Sequence, residues 1–181
     1  MNFEVNKSEI IFEGKVFSIQ VDKIIYKSGN PGVREIVRHP GGAVIIAVTD
    51  ENKILLVNQF RYPLNKKIYE LPAGKLDKNE KPVNCAKREL IEETGYIAGA
   101  IEKIGEIYTS PGFCDEVLHI YLAKNLILGE HKREEGEQGM EIVEADLSEI
   151  EMMISDGKIT DAKTICGIYY YKNLIIKKND S

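Results

Sequence analysis

Residues 74–95 read Gly74-Lys-Leu-Asp-Lys-Asn-Glu80-Lys-Pro-Val-Asn-Cys-Ala-Lys-Arg88-Glu89-Leu90-Ile91-Glu92-Glu93-Thr94-Gly95. Glu89, Glu92 and Glu93 stand at i, i+3 and i+4, a spacing that puts three carboxylates on one face of a helix. Like charges so placed cost a helix about 0.2–0.5 kcal/mol per pair unless something neutralises them. A hard divalent cation does so: Mg²⁺ prefers carboxylate oxygens, keeps several waters and commonly serves substrate phosphates. The local chemistry points to metal-assisted work on phosphates. Pro82 suits the first turn of this helix, where a missing N–H costs little, and Gly95 suits its C-terminal stop.

Outward from the helix, the pattern is an alternation of short strands and turns. Residues 9–26 predict two strands with a turn near Gly14, and Val33–Arg38 a third after the turn at Ser28–Gly32. This opening unit, residues 1–40, is too small to be stable alone and is expected to pack on the rest or on a partner chain. Residues 41–178 form the main domain. Ala43–Val48 is an apolar run typical of a buried strand, Lys53–Phe60 its return, Ile68–Leu71 a short extended piece, and Pro72-Ala73-Gly74 a tight loop. Ile101–Ser110, Val117–Ala123 and Glu141–Ala145 read as strands. Ser148 is expected to cap a helix through Ser155. Asp161 caps a last helix to about Lys177, with Ile165, Ile168, Tyr169 and Leu174 facing inward. The fold class is α/β (α+β): a mixed β-sheet sandwiched between helices, with an N-terminal antiparallel β subdomain.

Composition bounds the function. Net charge is −5 and no basic cluster stands out beyond Lys177-Lys178, which argues against nucleic acid as the main partner. No apolar run approaches a membrane span, and Met1–Glu4 lacks a signal-peptide pattern, so a cytoplasmic protein is expected. Cys85, Cys114 and Cys166 are scattered without metal-ligand spacing and read as reduced thiols.

The pattern Gly74, Glu80, Arg88-Glu89-Leu90, Glu92-Glu93 and Gly95 resembles the Nudix box, with every fixed position present. Its one departure is Tyr96, where the family usually has an aliphatic residue. Pro111, sixteen residues after Gly95 in Thr109-Ser110-Pro111-Gly112-Phe113, resembles the marker of the ADP-ribose pyrophosphatase subfamily. Asn58–Pro63, Tyr69–Gly74 and Ile159–Thr164 are similar to the same subfamily, so the resemblance covers nearly the whole chain.

The resemblance implies a Nudix fold and hydrolysis of ADP-ribose to AMP and ribose 5-phosphate. It implies Mg²⁺ or Mn²⁺ as the cofactor. It also implies a homodimer in which the amino-terminal strands are swapped and complete the substrate site. Glu89, Glu92 and Glu93 are the expected metal ligands, with the backbone carbonyl of Ala73. Arg88 is expected to orient the carboxylates by ion pairing, and Glu80 to serve the helix start. Arg61 matches an arginine that meets the diphosphate, for which a guanidinium fork is suited. Glu70 is an expected acceptor for ribose hydroxyls, and Arg34 an expected contact to adenosine across the dimer. Pro111 and Gly112 count among the substrate contacts, and Phe17 is a candidate lid over the adenine.

The subfamily's general base comes from an acidic loop, from two glutamates two residues apart. Glu135-Gly136-Glu137 has that spacing; Glu137 is the first choice and Glu135 the second. An ungapped count back from Glu141 instead puts Gly136 and Gln138 there, and one inserted residue restores the match. Three alternatives stand beside this function: a hydrolase of another nucleoside diphosphate derivative such as GDP-mannose, a non-catalytic ADP-ribose sensor, and a structural dimerisation domain.

Overall fold

The computed structural model describes residues 2–129 and 139–179. The chain divides into two compact units, one of Met1–Gly41 with Tyr108–Val117, the other of Gly42–Ile107 with Leu118–Ser181.

In the first unit β1 (Phe3–Glu13), β2 (Ser18–Tyr26) and β3 (Pro31–Arg38) form an antiparallel sheet in that order. β1 begins six residues before the sequence suggests. Residues 4–9 are Glu-Val-Asn-Lys-Ser-Glu, all exposed, so they carry no two-residue period; the strand exists because its backbone pairs with β2. Residues 108–117 run against β3. The Val37 amide donates to the Phe113 carbonyl at 2.7 Å, and Arg38 Nη1 to Asp115 Oδ2 at 2.9 Å. The Pro111-Gly112 turn is therefore tied to the third strand.

The second unit is built on β4 (Gly42–Ala47), buried along its length. β4 pairs antiparallel with β7 (Ala73–Lys75) and parallel with β9 (Val117–Leu128), which is followed by β8 (Tyr96–Tyr108) at the edge. The expected loop at residues 72–74 is partly this strand β7, because its backbone completes the ladder on Ala43 and Val44. A second sheet orders β10 (Glu141–Ala145), β5 (Ile54–Arg61) and β6 (Lys66–Glu70).

Alternation along β4 sends side chains to two opposite layers. Ala43, Ile45 and Ala47 pack with Cys85, Ala86 and Leu90 of α1 (Pro82–Thr94). Val44 and Ile46 pack with Ile150 of α2 (Leu147–Ser155) and Ile168 and Tyr171 of α3 (Ala162–Asn179). Helices thus cover both faces, as the sequence predicts. Each fully buried aliphatic side chain is worth about 1.5–3 kcal/mol.

Two helix details correct the sequence expectations. α2 is capped by Asp146, not Ser148: Asp146 and Glu149 form a reciprocal capping box, which starts the helix at Leu147 and leaves Ser148 inside the first turn. In α3 the buried line runs through Thr164, Ile168 and Tyr171, at i, i+4 and i+7, so Tyr169 falls on the outer side and is 67% exposed. Among the described residues no helix is long and apolar enough to cross a membrane.

Thr164 joins α3 to the sheet. Its hydroxyl, fully buried, accepts the Leu71 amide at 2.8 Å and donates to Asp161 Oδ2 at 2.6 Å. Thr164→Val keeps the shape and strands a buried N–H, a loss of about 1–3 kcal/mol. Urea denaturation is expected to show a lower midpoint at unchanged slope; an unchanged midpoint would mean that this bond carries nothing.

Candidate active site

α1 starts at Pro82 after an extended Lys81 and stops at Gly95, whose φ of 76° is the left-handed cap that glycine adopts without strain. With Cys85, Ala86 and Leu90 pressed against β4, the adjoining stripe of the helix carries Glu89, Glu92 and Glu93 beside β7. Glu89 and Glu93 are 6% and 3% exposed. The Ala73 amide donates to Glu93 Oε2 at 3.0 Å. A Cβ added to Gly74 would stand 1.8 Å from the Glu89 carboxylate carbon. The first glycine of the box is thus the floor on which a carboxylate rests.

Arg88 holds this group together. Nη1 donates to Glu89 Oε1 at 2.7 Å and to Glu92 Oε2 at 2.8 Å. Nε and Nη2 grip Glu80 at 3.1 and 3.0 Å, and Nη2 also donates to the Lys75 carbonyl at 3.1 Å. The pairing with Glu80, first, pushes the arginine further above its usual range, and the same pair holds the Glu80 carboxyl below its own. Glu80 also accepts the Asp77 amide at 3.0 Å. Its place is structural: it fixes the turn before α1 and aims Arg88 at the other carboxylates. Cys85 lies under the group, and burial, then Glu89 and Glu80, push its thiol up to about 12, so it stays neutral.

Ala73, Gly74, Arg88, Glu89, Glu92 and Glu93 line an open cavity of about 520 Å³ that also takes in Gln59, Phe60, Arg61, Lys75 and Asp77. Among the described residues four carboxylates and three cations face it. On its far wall Arg61 of β5 forms a fork with Glu70 of β6, Nε to Oε1 at 2.9 Å and Nη2 to Oε2. Glu70 is 2% exposed, also accepts from Gln59 Nε2 at 3.0 Å, and forms an ion pair with Lys163 Nζ at 2.9 Å. Sequence reasoning offers Glu70 to ribose hydroxyls; in the structure its oxygens are engaged by Arg61, Gln59 and Lys163, and it is the counter-ion of Arg61.

Among the described residues no three histidine, cysteine or carboxylate side chains converge as a ready metal cage. The donor set still suits a hard cation. Three carboxylates share one cavity, and carboxylate oxygens are the donors that Mg²⁺ and Mn²⁺ take.

Arg34 belongs to the first unit, where Nη2 donates to the Tyr26 hydroxyl at 2.8 Å and the guanidinium stands 5.7 Å from the Phe3 and Tyr26 ring centres. Pro111 and Gly112 are exposed in the same unit. Phe17 packs on Phe12 at 5.8 Å. Glu135 and Glu137 fall outside the described residues. Lys75, Asp77, Phe60 and Gln59 are cavity residues that sequence reasoning assigns no role; only their nearness to Gly74 and Arg61 in the chain signals them.

Comparison with known proteins comes to the same place. A family model of the NUDIX domain matches residues 38–165. An ADP-ribose pyrophosphatase of Bacillus subtilis is 46% identical over 163 residues, covering 90% of this chain and 88% of its own. A methanol dehydrogenase activator of Bacillus methanolicus is 44% identical over 165 residues, covering 91% and 89%. A solved structure of an "ADP compounds hydrolase" superposes with a TM-score of 0.85 at 16% identity, over 98% of this chain and 96% of that one, and shows the fold.

Gly74→Ala tests the carboxylate floor. The added methyl displaces Glu89, a flexible side chain, so the fold is expected to persist with near wild-type circular dichroism while hydrolytic activity falls by an order of magnitude or more. Full activity in this variant would mean that Glu89 need not lie over β7.

Proposed function

The chain belongs to the NUDIX family, and on that premise we propose that it hydrolyses the diphosphate of ADP-ribose to AMP and ribose 5-phosphate. One observation carries the reading: Glu89, Glu92, Glu93, Arg88 and Arg61 face a single cavity. The Bacillus subtilis relative supports the substrate.

A diphosphate is anionic and repels both a nucleophile and the carboxylates that line this cavity. Glu89, Glu92 and Glu93, with the Ala73 carbonyl, are the groups that would hold Mg²⁺ or Mn²⁺. When bound, such an ion neutralises phosphate oxygens and lowers the pKa of water. Arg88 keeps the carboxylates from springing apart and orients their oxygens. Arg61 presents its outer face to the diphosphate, anchored from behind by Glu70. Glu137, or Glu135 as the second choice, takes the proton of the attacking water. A carboxylate there matches the acid–base work and adds about 10²–10⁴-fold.

Product analysis by mass after incubation with Mg²⁺ tests the reading. The panel is ADP-ribose, GDP-mannose, NADH, diadenosine polyphosphates and 8-oxo-dGTP. ADP-ribose is expected to turn over fastest, with AMP and ribose 5-phosphate formed together. GDP-mannose as the best substrate would make the chain a nucleotide-sugar hydrolase, and turnover of none would make it a sensor. Glu92→Gln and Glu93→Gln are expected to lose most activity with the fold intact. Glu137→Gln is expected to lower kcat with little change in KM; if Glu135→Gln is the inactive variant, the base moves by two residues.

We further infer a homodimer held partly by residues 1–40. Ile10, Ile11 and Phe12 of β1, with Val16 and Phe17 after it, are all at least 40% exposed, and contiguous apolar surface of this kind favours a protein partner. Sedimentation at micromolar concentration is expected to give a dimer; a fully active monomer would overturn this.

A further inference from the structure

We propose that Lys163 is a positioning residue for Arg61: it shares the buried Glu70 carboxylate with the arginine and so fixes where the guanidinium stands at the cavity wall. The inference rests on the reading that Arg61 meets the diphosphate.

A carboxylate that is 2% exposed must be neutralised and its lone pairs filled. Arg61 alone supplies one charge and two donors, to Oε1 and Oε2. Lys163 brings a second cation to Oε2 at 2.9 Å. A guanidinium fork is planar, so the direction in which Arg61 points follows the plane of the carboxylate it grips. That plane is free to turn unless something holds it from the other side. Gln59 holds it from β5 itself, while Lys163 holds it from α3, an element that Arg61 does not belong to.

Lys163 is in turn a fixed point. Its side chain is 14% exposed, and its second partner is Asp161 Oδ2 at 3.0 Å. Asp161 cannot drift, because the same oxygen accepts the Thr164 amide at 2.9 Å and its hydroxyl at 2.6 Å. Charges therefore alternate from the start of α3 to the cavity: Asp161, Lys163, Glu70, Arg61. Only the last faces the open cavity, with 39% of its side chain exposed. An ion pair with a purely structural task would have no need to end on a half-exposed cation aimed at the site of an anionic substrate.

The test is a double-mutant cycle on ADP-ribose hydrolysis. Lys163→Met is expected to lower kcat/KM by about 10–100-fold, the scale of a small misplacement of a binding group. In the Arg61→Ala background the same change is expected to cost less than about two-fold, since the effect travels through Arg61. Equal losses in both backgrounds, or none in either, overturn the proposal. Lys163→Gln, which keeps a donor, serves if the methionine variant does not fold, with the same expectations at smaller size. Phenylglyoxal labelling of Arg61, followed by mass spectrometry, needs no substrate. It is expected to quicken in Lys163→Gln, and an unchanged rate overturns the positioning. If Arg61→Ala itself leaves kcat/KM unaltered, the diphosphate contact fails, and the labelling still decides whether Lys163 holds Arg61.

Discussion

Repulsion among three carboxylates on one helical face is the constraint around which this protein is arranged. Glu89, Glu92 and Glu93 lie within five residues of α1, two of them buried. The chain supplies its own partial answer in Arg88, which bonds Glu80, Glu89 and Glu92. Glu80 is bound to the turn before the helix, so the arginine is aimed before it reaches the other two. Glu93 is restrained separately, by the Ala73 amide. Among the described residues four carboxylates and three cations face the cavity. What remains is negative surface beside an arginine, a combination that takes a divalent cation together with an anionic ligand.

That arrangement depends on β4. Its side chains alternate between α1 on one layer and α2 and α3 on the other, so a single strand sets the heights of both helix layers. β7 pairs with β4 at Gly42–Val44, which puts the backbone of Ala73 and Gly74 against the carboxylates of α1. On the opposite side α3 reaches β6 through Thr164 and Lys163. Both walls of the cavity are thereby referred to one rigid strand, the condition under which charged groups keep their geometry.

The spacing of the box was legible because contacts between its own members dictate it. Gly74 must lack a side chain for Glu89, Glu80 must reach Arg88, and Gly95 must end the helix. A pattern that records its own contacts can be read without the fold. The apolar runs of β4 and β5 were legible for a similar reason, since both are buried and carry their signal in composition. Other features were not. β1 begins among polar residues because pairing, which composition does not record, extends it. The α2 cap is not legible in the chain because Asp146 and Ser148 are both good caps, and the capping box between Asp146 and Glu149 chooses between them. Tyr169 and Tyr171 are equally apolar, and the position of α3 on the sheet decides which is buried.

Glu70 shows the same limit at the site. From the chain it is an acid next to an expected substrate arginine, and a ribose acceptor is a fair inference. Its function changes once Lys163, more than ninety residues later, is found on the same oxygen as Arg61 and Gln59. A carboxylate with three hydrogen bonds, a second ion pair and almost no exposure has little left to offer a substrate, whereas the arginine it holds keeps an open face. Burial therefore separates two residues that chain position alone leaves equivalent: the one sunk in the wall is held as a counter-ion, and the half-exposed one it pairs with faces the cavity.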